Sequence, residues 1–242
     1  MSRRLQVLAS FALILCLTMP ARSEDEPSKK VDDSPKKAES AIIKEARDHM
    51  SVLKVQSSAN GTETDVELFP NPVLTYGDAA RNHEAGTLWV WGKTGRPVAL
   101  MELYRDVGKD QPWIHALTLT SSELIQFKAP TGSRWTPKTS HFKLQDVPGS
   151  PAVGDQPVAR LRQMKEISRR FEAHELWGGR HELRLVTTPV HRYQDEATKL
   201  IDGAVFVLAH DLNPEVLLQI EAIATEQTPR WKYSLEIGRA HV

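Results

Sequence analysis

A single cysteine, Cys16, occurs in 242 residues, and it lies inside an N-terminal apolar stretch that reads as a removable export signal. Without it the chain has no disulfide, no thiolate metal ligand and no cysteine nucleophile. An excess of one charge is also missing, since 31 Lys and Arg stand against 31 Asp and Glu. Removal of Arg3, Arg4 and Arg22 with the signal leaves 28 basic residues against 31 acidic, a formal charge of −3. That balance gives no pull toward nucleic acid or an anionic membrane. No apolar run is long enough for an ordinary membrane span: Leu5 to Leu17 falls short of the ~20 residues required. The sequence has no G-x-S-x-G elbow, no phosphate-binding loop and no G-x-G-x-x-G turn. No spacing pairs a nucleophile with a base, and no cofactor is implied.

What is present begins with an address. Arg3 and Arg4 precede the apolar run, and Ala21-Arg22-Ser23 offers small residues where a signal peptidase reads. Cleavage after Ser23 is expected, which makes the protein exported, periplasmic or extracellular. Lipidation of Cys16 is disfavoured because Leu15 stands where that processing requires Gly, Ala or Ser. Residues 24–37 mix both charges with Pro and Ser and read as a solvated linker. At the other end, residues 236–242 resemble the in-frame translation of a sequencing-library adapter. On that reading the protein continues past Leu235; the alternative is that these residues finish a strand.

Between the ends lies a repeat. Shifting the sequence by 117 residues superposes Pro72-Val73, Tyr76, Asp78 and Ala80 on Pro189-Val190, Tyr193, Asp195 and Ala197. The match continues without a gap through Gly86, Val90, Pro97 and Leu100, nine identities in the 32 positions 72–103. Composition alone would give roughly two. Conservative pairs fill the rest, including Trp89 with Phe206 and Trp91 with Leu208, and Trp113 reappears as Trp231 at an offset of 118.

Each copy opens with helical periodicity. Ala38, Ile42, Ala46, Met50 and Leu53 form one apolar stripe; Val158, Leu161, Met164, Ile167 and Phe171 form the other, with Asp155 as cap and Pro157 as start. Strand-like stretches follow at 64–68, 73–76, 86–91, 98–104 and 113–120, then at 123–128 and 140–144. In the second copy they recur at 181–187, 190–193, 204–209, 216–221 and 231–235, after the Pro- and Gly-rich join 146–157. The expected architecture is one α+β domain, a tandem duplication of a helix-plus-antiparallel-meander unit with pseudo-twofold symmetry. The first unit spans 38–145 and the second 158–235. Two half-sheets side by side, covered by both helices on one face, would close its core.

A repeat separates scaffold from site, because positions kept in both copies serve the shared fold. Trp89 and Trp91 put two indoles on one strand face and suggest an aromatic ligand platform, but their counterparts Phe206 and Leu208 point to core. Tyr76 with Asp78, matched by Tyr193 with Asp195, suggests a polar pocket, but a turn role for the Asp is favoured. The second helix carries Arg160, Arg162, Lys165, Arg169 and Arg170 interrupted by Glu166 and Glu172, a solvated face. An anionic ligand, if bound, is expected beside Arg169 and Arg170. His174, His181 and His191 are weak metal-ligand candidates: His174-Glu175 and His181-Glu182 begin like a zinc-protease motif, but the fourth residue after each His is Gly178 or Leu185 and not His.

Gly86-Thr87-Leu88-Trp89-Val90-Trp91 with Thr94-Gly95-Arg96-Pro97, Arg160-Leu161-Arg162-Gln163-Met164, and Glu182-Leu183-Arg184-Leu185 before Pro189-Val190-His191-Arg192-Tyr193 carry a resemblance. Over residues 68 to 235 the chain resembles a group of exported proteins of unknown function found in planctomycete bacteria. The resemblance implies export and the duplicated fold, and transfers no activity, cofactor or catalytic residue. Export, duplication and the lack of catalytic spacing favour a non-catalytic module that binds a ligand or an envelope protein. The alternatives are an exported metal-dependent hydrolase using His174, His181 and His191, and a structural component of an envelope assembly.

Overall fold

A computed structural model describes residues 34–59, 62–78, 81–108, 111–176 and 178–237. The expected signal, residues 24–33 of the linker, Ala80 of the repeat and residues 238–242 lie outside them. Helix α1 (Ser34–Ser51) starts four residues before the expected stripe, with Pro35 in its first turn, where the missing N–H costs nothing. A hairpin of β1 (Lys54–Ala59) and β2 (Thr62–Val66) follows, then a meander of β3 (Leu74–Asp78), β4 (His83–Trp91), β5 (Ala99–Asp106) and β6 (Ile114–Leu119). β7 (Ile125–Lys128) returns to pair with β1, and β8 (Arg134–Trp135) pairs with β7, giving the small sheet β2-β1-β7-β8. After β9 (Gln145–Asp146) comes α2 (Pro157–Ser168), the hairpin of β10 (His174–Leu176) and β11 (Arg180–Glu182), and a second meander. Its strands are β12 (Arg184–Asp195), β13 (Leu200–His210), β14 (Asn213–Ile223) and β15 (Arg230–Ile237), with β9 added beside β15. The architecture is α+β: antiparallel sheets with two helices. No described helix is long and apolar enough to cross a membrane.

The two meanders have matching ladders. Tyr76 faces Gly86 and Gly86 faces Tyr104; 117 residues on, Tyr193 faces Gly203 and Gly203 faces Glu221. The irregularities coincide as well, between His83 and Ala85 in β4 and between Leu200 and Asp202 in β13. β5–β6 and β14–β15 agree at offsets of 117 and 118, so that Ala99↔Leu119 corresponds to Val216↔Ile237.

The sheets lie face to face and not side by side, which corrects the expected layering. Strand alternation sorts the residues. Leu88, Val90 and Leu100 of the first meander share a core with Val205, Val207 and Leu217 of the second. Trp89, Trp91, Met101 and Leu103 face outward onto α1 (Ala46, Met50) and the small sheet (Val55, Ile125). Phe206, Leu208, Leu218 and Trp231 face outward onto α2 (Met164, Ile167). The helices therefore cover opposite outer faces. β4 and β13 are apolar on both sides because both sides are covered, so their sequences read as continuous runs.

Other differences have local causes. Stretch 140–144 is irregular: the Ser140 hydroxyl accepts from Phe142 N–H (3.2 Å) and donates to Ser121 O (2.7 Å), a local alternative to ladder pairing. The expected stretch 181–187 divides at Leu183 between β11 and β12. From Arg184 it runs on with the expected stretch 190–193 as one strand, β12, whose register skips between Val186 and His191, where a residue without an N–H is tolerated. The N-cap of α2 is Gln156 and not Asp155; no side chain caps it, and Asp155 instead offers its carbonyl to Arg160 Nη1 (2.7 Å).

Candidate functional site

The residues that match at an offset of 117 are structural. Trp89 and Trp91 are buried, as their repeat partners imply. Each repeated tyrosine lies across a strand glycine and reaches an acid beyond it. Tyr76 Oη donates to Glu102 (2.9 Å), and Tyr193 Oη donates to Glu221 (2.9 Å) while accepting from Gln219 Nε2 (3.1 Å). Burial, and then Glu221, push the Tyr193 phenol well above its ordinary range. Asp78 and Asp195 close turns by accepting from Arg81 N–H and Ala197 N–H, both at 3.1 Å.

Two charged clusters join the sheets. Arg96, on the loop after β4, grips fully buried Glu221 of β14 through Nε (2.7 Å) and Nη2 (2.6 Å), and its guanidinium lies 5.4 Å from the Phe142 ring centroid. At the other junction Arg81 bonds Asp78 (2.6 Å) and pairs with Glu215 (3.1 Å) and Glu175. Burial pushes the Asp78 carboxyl up, but hydrogen bonds from Arg81 outweigh it and hold the group below its ordinary range.

The proposed ligand residues are scattered. Arg170 bonds Pro148 O, and Arg169 lies exposed at the end of α2, so the two do not frame a pocket. Arg160 turns inward, not onto the solvated face, and shares buried Asp202 with Arg192 (2.9 Å and 2.6 Å). His174 and His181 sit at neighbouring rungs of the β10–β11 hairpin, opposite Glu182 and Glu175, so they project from opposite faces. His181 stacks on His210 (4.9 Å), while His191 packs edge-on against Phe69 (5.4 Å). Among the described residues no three His, Cys, Asp or Glu side chains converge as a metal site.

A histidine pair that the sequence did not single out lies between α1 and β6. His49 Nε2 and His115 Nε2 are 2.8 Å apart with stacked rings, beside Trp113, Phe127 and Glu45. One nitrogen donates and the other accepts, so a second proton on the shared line has no acceptor. Burial lowers both pKa values; Glu45 partly offsets this at His49, and His49 adds to it at His115. Burial lowers His191 too. With folded values below the unfolded ~6.5, the unfolded chain binds more protons in that window. Stability is thus complete above pH ~6.5 and is lost as pH falls toward the folded values. Urea midpoints should drop between pH 7.5 and 5.5, and His115→Gln should show a smaller drop; an equal drop would exclude the pair as a cause.

A groove of about 740 Å³ lies on the flank of the first sheet. One wall is β6 from Ala116 to Leu119, the other the irregular stretch Trp135–Thr139 with His141, and Glu236 and Ile237 of β15 close one side. Trp135 is 45 % exposed and Ile237 80 % exposed, an accessible indole beside an aliphatic residue. Burial lifts the Glu236 carboxyl above its ordinary range, opposed by a hydrogen bond from Ser234 (3.3 Å) and by His141. The sequence pointed only to the segment 123–157, which has no counterpart at the 117-residue offset and holds Trp135 and His141. It did not bring β6 and β15 to that segment, because the walls come from three distant parts of the chain. The chain matches no family model, and no curated protein or solved structure is significantly similar to it.

Proposed function

We propose that this chain is an exported, non-catalytic binding module, built from two copies of a helix-plus-meander unit, whose ligand lies in the groove between β6 and Trp135–His141. The observation that carries the reading is the groove itself, where a half-exposed indole, a cation (Lys138), an imidazole (His141) and apolar strand residues line one opening. Such mixed lining around an aromatic anchor suits binding. The coincident ladder registers at offsets of 117 and 118 support the duplication. Export and kinship with the planctomycete group rest on the N-terminal pattern and the motifs around Trp89 and Arg160.

Thermal unfolding against a panel of sugars, lipids and peptides tests this. A ligand present at a hundred times its Kd adds about 2.7 kcal/mol, a rise in Tm of roughly 5–10 °C for a chain of this size. Trp135→Ala should erase that rise and leave the unliganded Tm within about 2 °C, because the residue is exposed. The absence of a shift with every class would overturn the proposal.

A further inference from the structure

The groove's β6 wall is a strand edge with a defined hydrogen-bonding phase. Thr120 N–H donates to Val98 O at 3.1 Å, continuing the β5–β6 ladder in which Thr118 faces Leu100 and Ala116 faces Glu102. In an antiparallel pair the residues that bond the neighbour alternate with residues whose N–H and C=O point away. Thr120, Thr118 and Ala116 thus bond β5, while Leu117 and Leu119 turn their backbone groups outward. β6 is the last strand of its sheet, and among the described residues no partner takes those groups. Both leucines line the groove.

The molecule already uses the corresponding edge of its other sheet in this way. β9 adds beside β15, pairing Asp146 with Lys232 and Gln145 with Tyr233, and Val147 N–H donates to Trp231 O at 3.0 Å. The last strand of this meander accepts an extended segment; among the described residues β6 carries none. The open stretch Ala116–Leu119 is about 13 Å long at ~3.3 Å per residue, room for a four-residue strand. Lys138 on the facing wall complements an acidic side chain, while His141 faces Glu236 of β15, and Trp135 offers an apolar contact.

From this we infer that the groove receives an extended peptide segment that adds to the β3–β6 sheet alongside β6. Its backbone pairs with the N–H and C=O of Leu117 and Leu119, and its side chains alternate between sheet faces, with an acidic residue toward Lys138. The inference rests on the binding-module reading and names the ligand class.

The test uses the full chain and a displayed library of random twelve-residue peptides. Selected sequences are synthesised with fluorescein and measured by anisotropy, then remade with single N-methyl groups walked along the backbone. N-methylation should weaken binding at least tenfold at alternate amides and less than twofold at those between. Trp135→Ala should weaken the parent peptide about tenfold. An N-methyl profile without alternation, or equal binding by Trp135→Ala, overturns strand addition at this edge. So does a stable dimer that protects the β6 amides from hydrogen exchange, since the edge then belongs to a second copy. If no peptide binds but a sugar or lipid raises Tm, the peptide inference fails and the binding module stands. If nothing in either panel binds, both fail.

Discussion

Arg96→Ala is expected to lower the free energy of unfolding by about 3–5 kcal/mol, the usual cost of breaking a buried ion pair from one side. Glu221 is fully buried, and Arg96 holds both of its oxygens; the strongest influence on Arg96 is this hydrogen bonding, which raises its pKa. Removing the guanidinium leaves the carboxylate between two sheets, where among the described residues only the Tyr193 hydroxyl donates to it. Arg96 is partly exposed, so water can reach the cut side and the loss should fall in the lower half of that range. Replacing both partners by apolar residues, Arg96→Met with Glu221→Leu, should recover most of the loss, because no charge is then stranded. Urea unfolding at pH 7 separates these outcomes. A loss under 1 kcal/mol for Arg96→Ala would mean that the pair does not join the sheets.

Gly86→Ala and Gly203→Ala should each destabilise by about 3 kcal/mol, the upper end for overpacking. A Cβ on Gly86 would lie 2.2 Å from Tyr76 Cζ, and one on Gly203 would lie 2.4 Å from Tyr193 Cε2. Neither ring can retreat, since each is buried and its hydroxyl is tied to an acid across the glycine. A tyrosine covering a strand glycine restores the contacts the glycine lacks, so the pair is one packing unit. Similar losses at the two positions are the expected result. A large loss at one and none at the other would show that the two meanders are packed differently, and would weaken the case for duplication.

Much of this frame was legible in the chain. The apolar stripe through Met50 and Leu53 and that through Met164 and Ile167 place both helices, because the 3.6-residue period is a local property. The 117-residue repeat marked Tyr76, Asp78, Trp89 and Trp91 as scaffold, and their burial and bonding agree. The short strand β9 was not legible, since two residues carry no period. Nor was the solvated role given to Arg160 correct, because its partner Asp202 lies 42 residues away.

By itself the sequence determined what repeats and what alternates: two meanders of matching pattern, each opened by a helix, with an unshared segment between them. These follow from neighbour-to-neighbour physics, the helical and strand periods and turn chemistry. Only the tertiary structure decided that the sheets stack face to face, that Arg96 reaches Glu221 across them, and that Leu117, Trp135 and Glu236 meet around one groove. An apolar strand does not specify which apolar surface covers each of its faces. That choice depends on burying both sides of two sheets at once, and for the faces between the sheets it is made by contacts more than a hundred residues apart.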